Sequence, residues 1–165
     1  MVAGELGSMK AEQFRVIART IILTPDRRVV LVTTSQTIAA LVLPGGAVDV
    51  GETLPQAAAR EAREECGLAV TIDHAIWLRE FYDRKRNQTN LEVYFLAQPA
   101  PGRQVPDRWL HDDPGKGGLR RSAGLYSRDD LKSIEMTVYP NEMRDAFWSG
   151  LERGFTNAYL GRFEG

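Results

Sequence analysis

The chain has 165 residues, of which 43% are hydrophobic and 26% charged, a composition typical of one globular domain with its own core. Its formal net charge of −1 excludes the general electrostatic attraction that basic proteins have for nucleic acids. The sequence contains no apolar stretch long enough to cross a membrane, its first residues lack the apolar segment typical of a signal peptide, and the single cysteine, Cys66, excludes an internal disulfide. We therefore expect a cytoplasmic protein in which Cys66 is a small buried residue.

The N-terminus is set apart from the rest of the chain by its composition. Residues 1–9 contain Gly-Ser and a second Met, which is typical of residues left by cloning. We assign them to a flexible N-terminus and expect a single domain over residues 10–165.

The first half of the chain is predicted to contain strands that lead into a loop. Segments rich in Ile, Val and Thr predict strands at 14–24 and 29–34, and the Pro-Asp turn between them predicts a hairpin. A loop at 35–40 then leads into the apolar residues 41–43.

The second half is predicted to contain three more strands and two helices. In chain order the expected segments are a strand at 70–82 that is irregular in its middle, a turn at 83–88, a strand at 89–97, a long loop at 98–118 and a strand at 119–126. A short helix capped by Ser127 should follow, and a final helix should start at Pro140 or Asn141. Helices interleaved with strands predict an α/β sandwich of three layers, with a mixed sheet between helices.

A glycine-rich turn introduces a helix of unusual composition. Residues 44–46, Pro-Gly-Gly, predict the turn. Thr53 has the features of a helix N-cap, with Gln56 three residues later as its capping-box partner. The Ala, Gln, Arg and Glu residues that follow are good helix formers, and Gly67 predicts the end of the helix.

Three carboxylates share one face of this predicted helix. Glu61, Glu64 and Glu65 are separated by three and four positions, so their like charges repel unless a cation lies among them. Carboxylate oxygens are preferred ligands of Mg²⁺, with Mn²⁺ as an alternative, and Arg60 could orient a carboxylate through its planar fork. The competing interpretation is a solvated acidic face that pairs with Arg60 and Arg63.

The segment GAVDVGETLPQAAAREAREECGL, from residue 46 to 68, is similar to the signature of the Nudix hydrolases. That signature is Gly, five residues, Glu, seven residues, Arg-Glu, a hydrophobe, any residue, Glu-Glu, any residue, Gly and a hydrophobe. All its strict positions are met, by Gly46, Glu52, Arg60, Glu61, Glu64, Glu65 and Gly67. Ala62 is smaller than the usual aliphatic residue. The resemblance implies a Nudix-like fold, extending loosely over residues 14–153.

The resemblance also implies a reaction, the Mg²⁺-dependent hydrolysis of a pyrophosphate bond in a nucleoside diphosphate linked to a group X. Glu64 and Glu65 would be metal ligands, with Glu61 as a further ligand or as the base. The carbonyl of Gly45 would be another ligand, and Arg60 would orient the carboxylates. The remaining motif residues would shape the loop or hold a metal-bound water, namely Gly46, Gly51, Glu52 and Gly67.

The catalytic base in this family sometimes comes from outside the signature. Glu92 is the candidate here, because it alternates with the apolar residues of its predicted strand; a solvent-facing Glu92 is an equal alternative. Asp107, Asp112 and Asp113 are weaker candidates, for which solvation is the simpler interpretation.

Residues that bind the substrate are harder to predict. Trp109 could stack on a base or anchor its loop, and Arg84 lies in a basic turn that could meet phosphates or stay solvated. The same alternatives hold for Lys116, Arg120 and Arg121, whereas His74 and His111 are too isolated to predict a catalytic pair.

Three functions compete at this point. The first is an Mg²⁺-dependent pyrophosphohydrolase acting on a nucleotide-type small molecule, with nucleoside triphosphates and nucleotide sugars both open as substrates. The second is a catalytically silent nucleotide-binding or regulatory module, against which the complete Glu set argues. The third is a decapping-type enzyme, which the charge of −1 disfavours. The absence of proline at Arg84 counts against the ADP-ribose subgroup. We expect no membrane or nucleic-acid partner and leave a homodimer open.

Overall fold

The computed structural model describes residues 13–33 and 40–165. Residues 1–9 and nearly all of the predicted loop at 35–40 lie outside these ranges. Within them, the strands form two mixed sheets of five strands each. The predicted α/β class with mixed strand directions is confirmed, with the strands divided between two sheets.

The first sheet contains the long strands of the molecule. Its strands are β1 (Gln13–Ile22), β4 (Gly45–Ala47), β5 (Val70–Asp83), β6 (Gln88–Pro99) and β10 (Tyr159–Glu164), arranged in the order β10-β5-β6-β1-β4. β6 is parallel to β1 and antiparallel to β5, and β4 is an antiparallel edge strand. The register of β5 against β6 shifts between Ile72 and Trp77, which confirms the predicted irregularity.

The second sheet is built from shorter strands. They are β2 (Val29–Thr33), β3 (Ala40–Val42), β7 (Arg108–Asp113), β8 (Leu119–Tyr126) and β9 (Thr137–Tyr139), arranged in the order β7-β8-β2-β3-β9. β2 is central and Val29 to Val32 are all fully buried, which is why it forms a continuous apolar run.

Three helices complete the described fold: α1 (Leu54–Cys66), α2 (Arg128–Ser133) and α3 (Ala146–Arg153). Helix α1 contacts both sheets. Ala57 and Ala58 pack with Val93 on the first sheet, whereas Ala62 and Cys66 pack in a cluster with the second sheet. Small residues on α1 are needed because the helix is buried on both of these sides.

The predicted hairpin between the first two strands is wrong. β1 and β2 belong to different sheets and are joined only by an isolated bridge between Leu23 and Val29. A Pro-Asp turn reverses the chain but does not determine pairing, since β1 gains a full parallel ladder with β6 and β2 pairs with β8 and β3.

Other differences concern short elements. The predicted loop at 98–118 contains β7 and a 3₁₀ turn at Pro114–Lys116, most of the predicted turn at 44–46 belongs to the strand β4, and β9 and β10 are absent from the prediction. The predicted final helix is divided into a 3₁₀ turn at Asn141–Arg144 and α3, because Asp145 leaves the helical conformation. No helix in the described ranges has the length and apolar character needed to span a membrane.

Candidate active site

Helix α1, which follows the loop after β4, is capped at both ends. Thr53 accepts a hydrogen bond from the backbone N–H of Gln56, whose side chain caps Thr53 in return, and Gly67 ends α1 in the left-handed conformation, φ 69°. The predicted cap, capping box and helix stop are therefore confirmed. Gly51 also has a positive φ, of 85°, within the loop.

Two glutamates of α1 hold the start of the loop. The backbone N–H of Gly45 donates to Glu65 Oε2 at 3.0 Å. Gly46 lies directly against Glu61, since a Cβ atom at position 46 would come within 2.3 Å of Glu61 Oε1. Any side chain at position 46 would displace this carboxylate, which explains the glycine.

Arg60 connects the loop to the carboxylates. Its guanidinium donates to Glu52 Oε1 and Oε2, both at 3.0 Å, to Glu61 Oε1 at 2.8 Å and to Glu64 Oε2 at 3.1 Å. It also donates to the carbonyl of Ala47 at 2.8 Å. Hydrogen bonds from Arg60 lower the pKa of Glu52 and keep it ionised. Arg60 thus orders three carboxylates at once.

The three helix carboxylates differ in their exposure. Glu61 and Glu65 are only 7% and 3% exposed, whereas Glu64 is half-buried. Burial raises the pKa of Glu61, although Arg60 opposes this shift. Glu64 accepts from Arg60 at Oε2, and no bond to its other oxygen is recorded among the described residues. The solvated acidic face considered from the sequence is therefore not what forms.

The β7–β8 hairpin supplies a second set of charges. Arg121 Nη2 lies 2.9 Å from Glu65 Oε1, and Lys116 Nζ lies 3.2 Å from the same oxygen. Arg121 Nε also donates to Asp113 Oδ2 at 3.1 Å. Asp113 is 1% exposed, and its Oδ1 has no partner among the described residues. Glu65 is therefore held by donors from three segments of the chain.

These groups surround a cavity of about 610 Å³. Its described lining comprises Arg15, Ile17, Arg19, Val42, Gly45, Gly46, Ala47, Asp49, Arg60, Glu61, Glu64, Glu65, Arg86, Gly115, Lys116 and Arg121. The tip of the β7–β8 hairpin closes one side, because a Cβ atom on Gly115 would lie 2.6 Å from Glu64 Oε2. The cavity thus contains all three helix carboxylates.

The donor set of this cavity fits a hard divalent cation. Within residues 13–33 and 40–165, no three His, Cys, Asp or Glu side chains are already grouped as a metal site. Each of the three carboxylates instead contacts Arg60, Lys116 or Arg121. Glu61, Glu64, Glu65 and Gly45 all line the same cavity and carry oxygen donors, which Mg²⁺ prefers.

Glu92 is buried and fully engaged, so the solvent-facing alternative is wrong. Arg19 donates to its Oε1 from Nε at 3.0 Å and from Nη2 at 2.8 Å. Tyr94 and Tyr139 both donate their hydroxyls to Oε2 at 2.6 Å. Burial alone would raise the pKa of Glu92, but the charge of Arg19 and the two hydroxyls outweigh it and lower the pKa. A carboxylate stabilised in this way is a poor proton acceptor.

Arg19 connects Glu92 to the lining of the first cavity. Its Nη1 lies 3.4 Å from the carbonyl of Leu43 and 3.5 Å from that of Gly45. The sequence reasoning did not single out Arg19, although an arginine inside an otherwise apolar strand was a usable indication of a buried ion pair.

A second cavity, of about 440 Å³, adjoins Tyr139. Arg79 and Glu142 form an ion pair in its wall, and Arg79 Nε and Glu142 Oε2 have no other partner in the described part of the chain. Phe163 and Tyr139 add aromatic surface. The hydroxyl of Tyr139 reaches Glu92, and Glu92 binds Arg19 in the first cavity, so one hydrogen-bonded chain joins the two cavities.

The predicted substrate-binding residues lie elsewhere. Arg84 pairs with Glu164, and it is Arg86 of the same turn that lines the first cavity. Trp109 donates from Nε1 to the carbonyl of Cys66 at 2.8 Å and packs against an apolar cluster, as expected for a loop anchor. Neither Arg84 nor Trp109 belongs to the described lining of either cavity.

The remaining candidate residues also lie outside the first cavity. Asp107 pairs with Arg28, and Asp112 with Arg120, both at the surface. The prediction of a buried Cys66 is confirmed, and burial raises the pKa of its thiol, which keeps it unreactive.

Comparisons with known proteins agree with this geometry. The model of the NUDIX domain family matches residues 13–148. A search of curated proteins finds no match. Among solved structures, a NUDIX hydrolase from Nitrosomonas europaea is 19% identical with a TM-score of 0.67, covering 94% of this chain and 82% of its own.

Two further solved structures have the same fold and are described as enzymes with different activities. One is described as a UDP-X diphosphatase; it is 17% identical with a TM-score of 0.63, covering 94% of this chain and 70% of its own. The other is described as an ADP-ribose pyrophosphatase from Streptococcus suis; it is 22% identical with a TM-score of 0.56, covering 90% and 98%. The predicted class of enzyme, a pyrophosphohydrolase of this family, is confirmed. The family model spans most of the described chain and five of the seven strict signature residues line the cavity, so the chain belongs to the Nudix hydrolase family.

Proposed function

We propose that the chain is an Mg²⁺-dependent pyrophosphohydrolase that cleaves the P–O–P linkage of a nucleoside diphosphate joined to a group X. The observation that carries the proposal is the convergence of Glu61, Glu64 and Glu65 on one cavity, with Arg60 bound to two of them. A binding module would not require this complete set.

The residues of the cavity have distinct roles in the proposal. Glu64 and Glu65 hold the metal, with the carbonyl of Gly45 as a further ligand. When bound there, Mg²⁺ or Mn²⁺ would neutralise phosphate charge and activate a water for attack. Glu61 is the proton acceptor or a third ligand, because it lies beside Glu64 and burial favours its neutral form.

Two arginines act as positioning residues. Arg60 Nη1 bridges Glu61 and Glu64 and fixes their orientation, which matters because like charges on one helix face repel. Arg19 plays a comparable part for the carbonyl of Gly45, and Glu92 orients Arg19. Glu92 therefore acts through Arg19 and does not serve as the base.

The nucleoside part of the substrate fits the second cavity. Tyr139 and Phe163 offer aromatic surface for a base, and Arg79 and Glu142 add polar side chains to the same lining. The free thiol of Cys66 is in keeping with a reducing compartment, and we place the enzyme in the cytoplasm.

The test is a cleavage assay on a panel of nucleoside triphosphates, dinucleoside polyphosphates and nucleotide sugars, with Mg²⁺ and then with EDTA. Metal-dependent release of a nucleotide is expected for wild-type protein and not for Glu64→Gln. Silence across the panel, with Mg²⁺ binding demonstrated by calorimetry, would reject the enzymatic function and favour the binding module.

A further inference from the structure

The first cavity has more basic side chains than the proposed cleavage reaction needs. Six basic and four acidic side chains are found among its described lining residues. Three of the basic groups are committed to internal ion pairs, Arg19 with Glu92, Arg60 with the motif glutamates, and Arg121 with Glu65 and Asp113. Arg15 and Arg86 are left to face a ligand, together with Lys116, whose one ion pair is the contact with Glu65.

Arg15 and Arg86 are the least committed of these cations. Arg15 is exposed on β1, and no ion pair is recorded for it in the described part of the chain. Arg86 pairs only with Asp83, three residues away in the same turn, and its side chain is 76% exposed. An exposed pair of this kind contributes little, so Arg86 can exchange Asp83 for a ligand at small cost.

Lys116 adds a further positive charge to the cavity, from the turn between β7 and β8. It contacts Glu65 at 3.2 Å, but its side chain is 48% exposed and it lies in the segment Pro-Gly-Lys-Gly-Gly. Gly117 and Gly118 both adopt positive φ, with no atom near enough to meet a side chain. The turn beside Lys116 is therefore open to solvent at these two glycines.

The polar side chains of the same lining are all charged. Among the described residues that surround the first cavity there is no Ser, Thr, Asn, Gln, His, Tyr or Trp. Cations distinguish a phosphate from a neutral sugar, because a hydrogen bond between two charged groups is about twice as strong as one between neutral groups. A phosphate needs cations, and a terminal phosphate carries about −1.5 to −2 charges at neutral pH.

We propose that group X carries phosphate, so that the substrate is a nucleoside triphosphate or a longer nucleoside polyphosphate, and that Arg15 and Arg86 bind its distal phosphate. This inference rests on the proposed function, because the nucleoside must occupy the second cavity and leave X to the first. Lys116 contributes to the same field from the β7–β8 hairpin.

Binding and cleavage are measured separately to test this inference. Calorimetry with Ca²⁺ compares an imido analogue of a nucleoside triphosphate with a nucleotide sugar of the same base. The proteins are wild type, Arg15→Gln, Arg86→Gln, the double variant, and Arg103→Gln as a control at an exposed arginine outside both cavities. Cleavage of the two substrate classes is then followed with Mg²⁺.

Wild-type protein should bind the triphosphate analogue about tenfold more tightly than the nucleotide sugar, and the double variant should reduce this ratio to about twofold, because each distal contact is a screened surface interaction. Arg103→Gln should leave the ratio unchanged. Equal or tighter binding of the nucleotide sugar by wild-type protein, or equal weakening of both ligands in the double variant, would overturn the inference. Cleavage of nucleotide sugars would leave the proposed hydrolase function standing, whereas selective triphosphate binding without any cleavage would reject that function alone.

Discussion

The hydroxyl of Tyr139 donates to Glu92 Oε2 at 2.6 Å and so joins the two sheets, since Tyr139 lies on β9 and Glu92 on β6. Burial and the charge of Glu92 raise the pKa of Tyr139, which keeps the hydroxyl protonated as a donor. The pair stands between the cavity proposed for the nucleoside and the cavity with the motif carboxylates, and Glu92 also accepts from Arg19 and Tyr94.

Loss of the charge on Glu92 should lower both stability and activity. Glu92→Gln leaves Arg19 half-buried without a counter-charge, and we expect a loss of about 3 kcal/mol in the free energy of unfolding. Turnover should fall partially, because Arg19 no longer steadies the carbonyl of Gly45. Urea denaturation and steady-state kinetics measure the two effects; a variant with wild-type stability and an unchanged rate across pH would remove Glu92 from the positioning role.

The same carboxylate predicts a pH dependence of stability. The pKa of Glu92 is lowered in the folded protein from an unfolded value of 4.5, so its contribution is fully present above pH 4.5 and is lost as the pH falls through the folded pKa. Wild-type protein should therefore lose more stability on acidification than Glu92→Gln does. Thermal melts of both proteins from neutral pH downwards test this difference, and parallel curves would contradict it.

Removal of the charge from a metal ligand should leave the fold intact but abolish most of the activity. Glu64→Gln and Glu65→Gln conserve volume, and we expect each to lower kcat by at least about a hundredfold, because a coordinating carboxylate is lost. Far-ultraviolet circular dichroism should show an intact fold. Near-normal turnover of either variant at saturating Mg²⁺ would exclude that residue as a ligand.

Arg60 should not be replaceable by lysine. A lysine at this position cannot reproduce the fork that reaches Glu52, Glu61 and Glu64 together, so Arg60→Lys should lower kcat about 10- to 100-fold. Arg63→Lys, an exposed position on the same helix, is the matched control and should behave like wild type. Equal kinetics of the two variants would show that the bidentate geometry of Arg60 is dispensable.

The small size of Ala62 should be a packing requirement. Ala62 is fully buried against the second sheet, in a cluster with Val30, Val32 and Leu125. Although the family usually has a larger aliphatic residue here, Ala62→Leu should lower the free energy of unfolding by about 1–3 kcal/mol through overpacking. Ala59→Leu, half-exposed on the same helix, should cost much less. Chemical denaturation compares them, and a neutral Ala62→Leu would reveal unfilled space.

The amino-acid sequence by itself determined the local features of the site. The cap at Thr53, the stop at Gly67 and the shared face of Glu61, Glu64 and Glu65 depend on interactions within a few residues, and such interactions can be inferred from spacing. The strands around Val30 and Val93 were predicted for the same reason, because side-chain periodicity is a local property.

Tertiary structure decided which distant groups complete the site. It placed β1 and β2 in different sheets. It also paired Arg19 with Glu92, 73 positions away, and Lys116 with Glu65, 51 positions away. Arg121 contacts the same Glu65. Strand pairing depends on the competition among all available partners, and no spacing within one segment encodes it. For that reason Glu92 is found buried among Arg19, Tyr94 and Tyr139, an environment that its own strand could not predict.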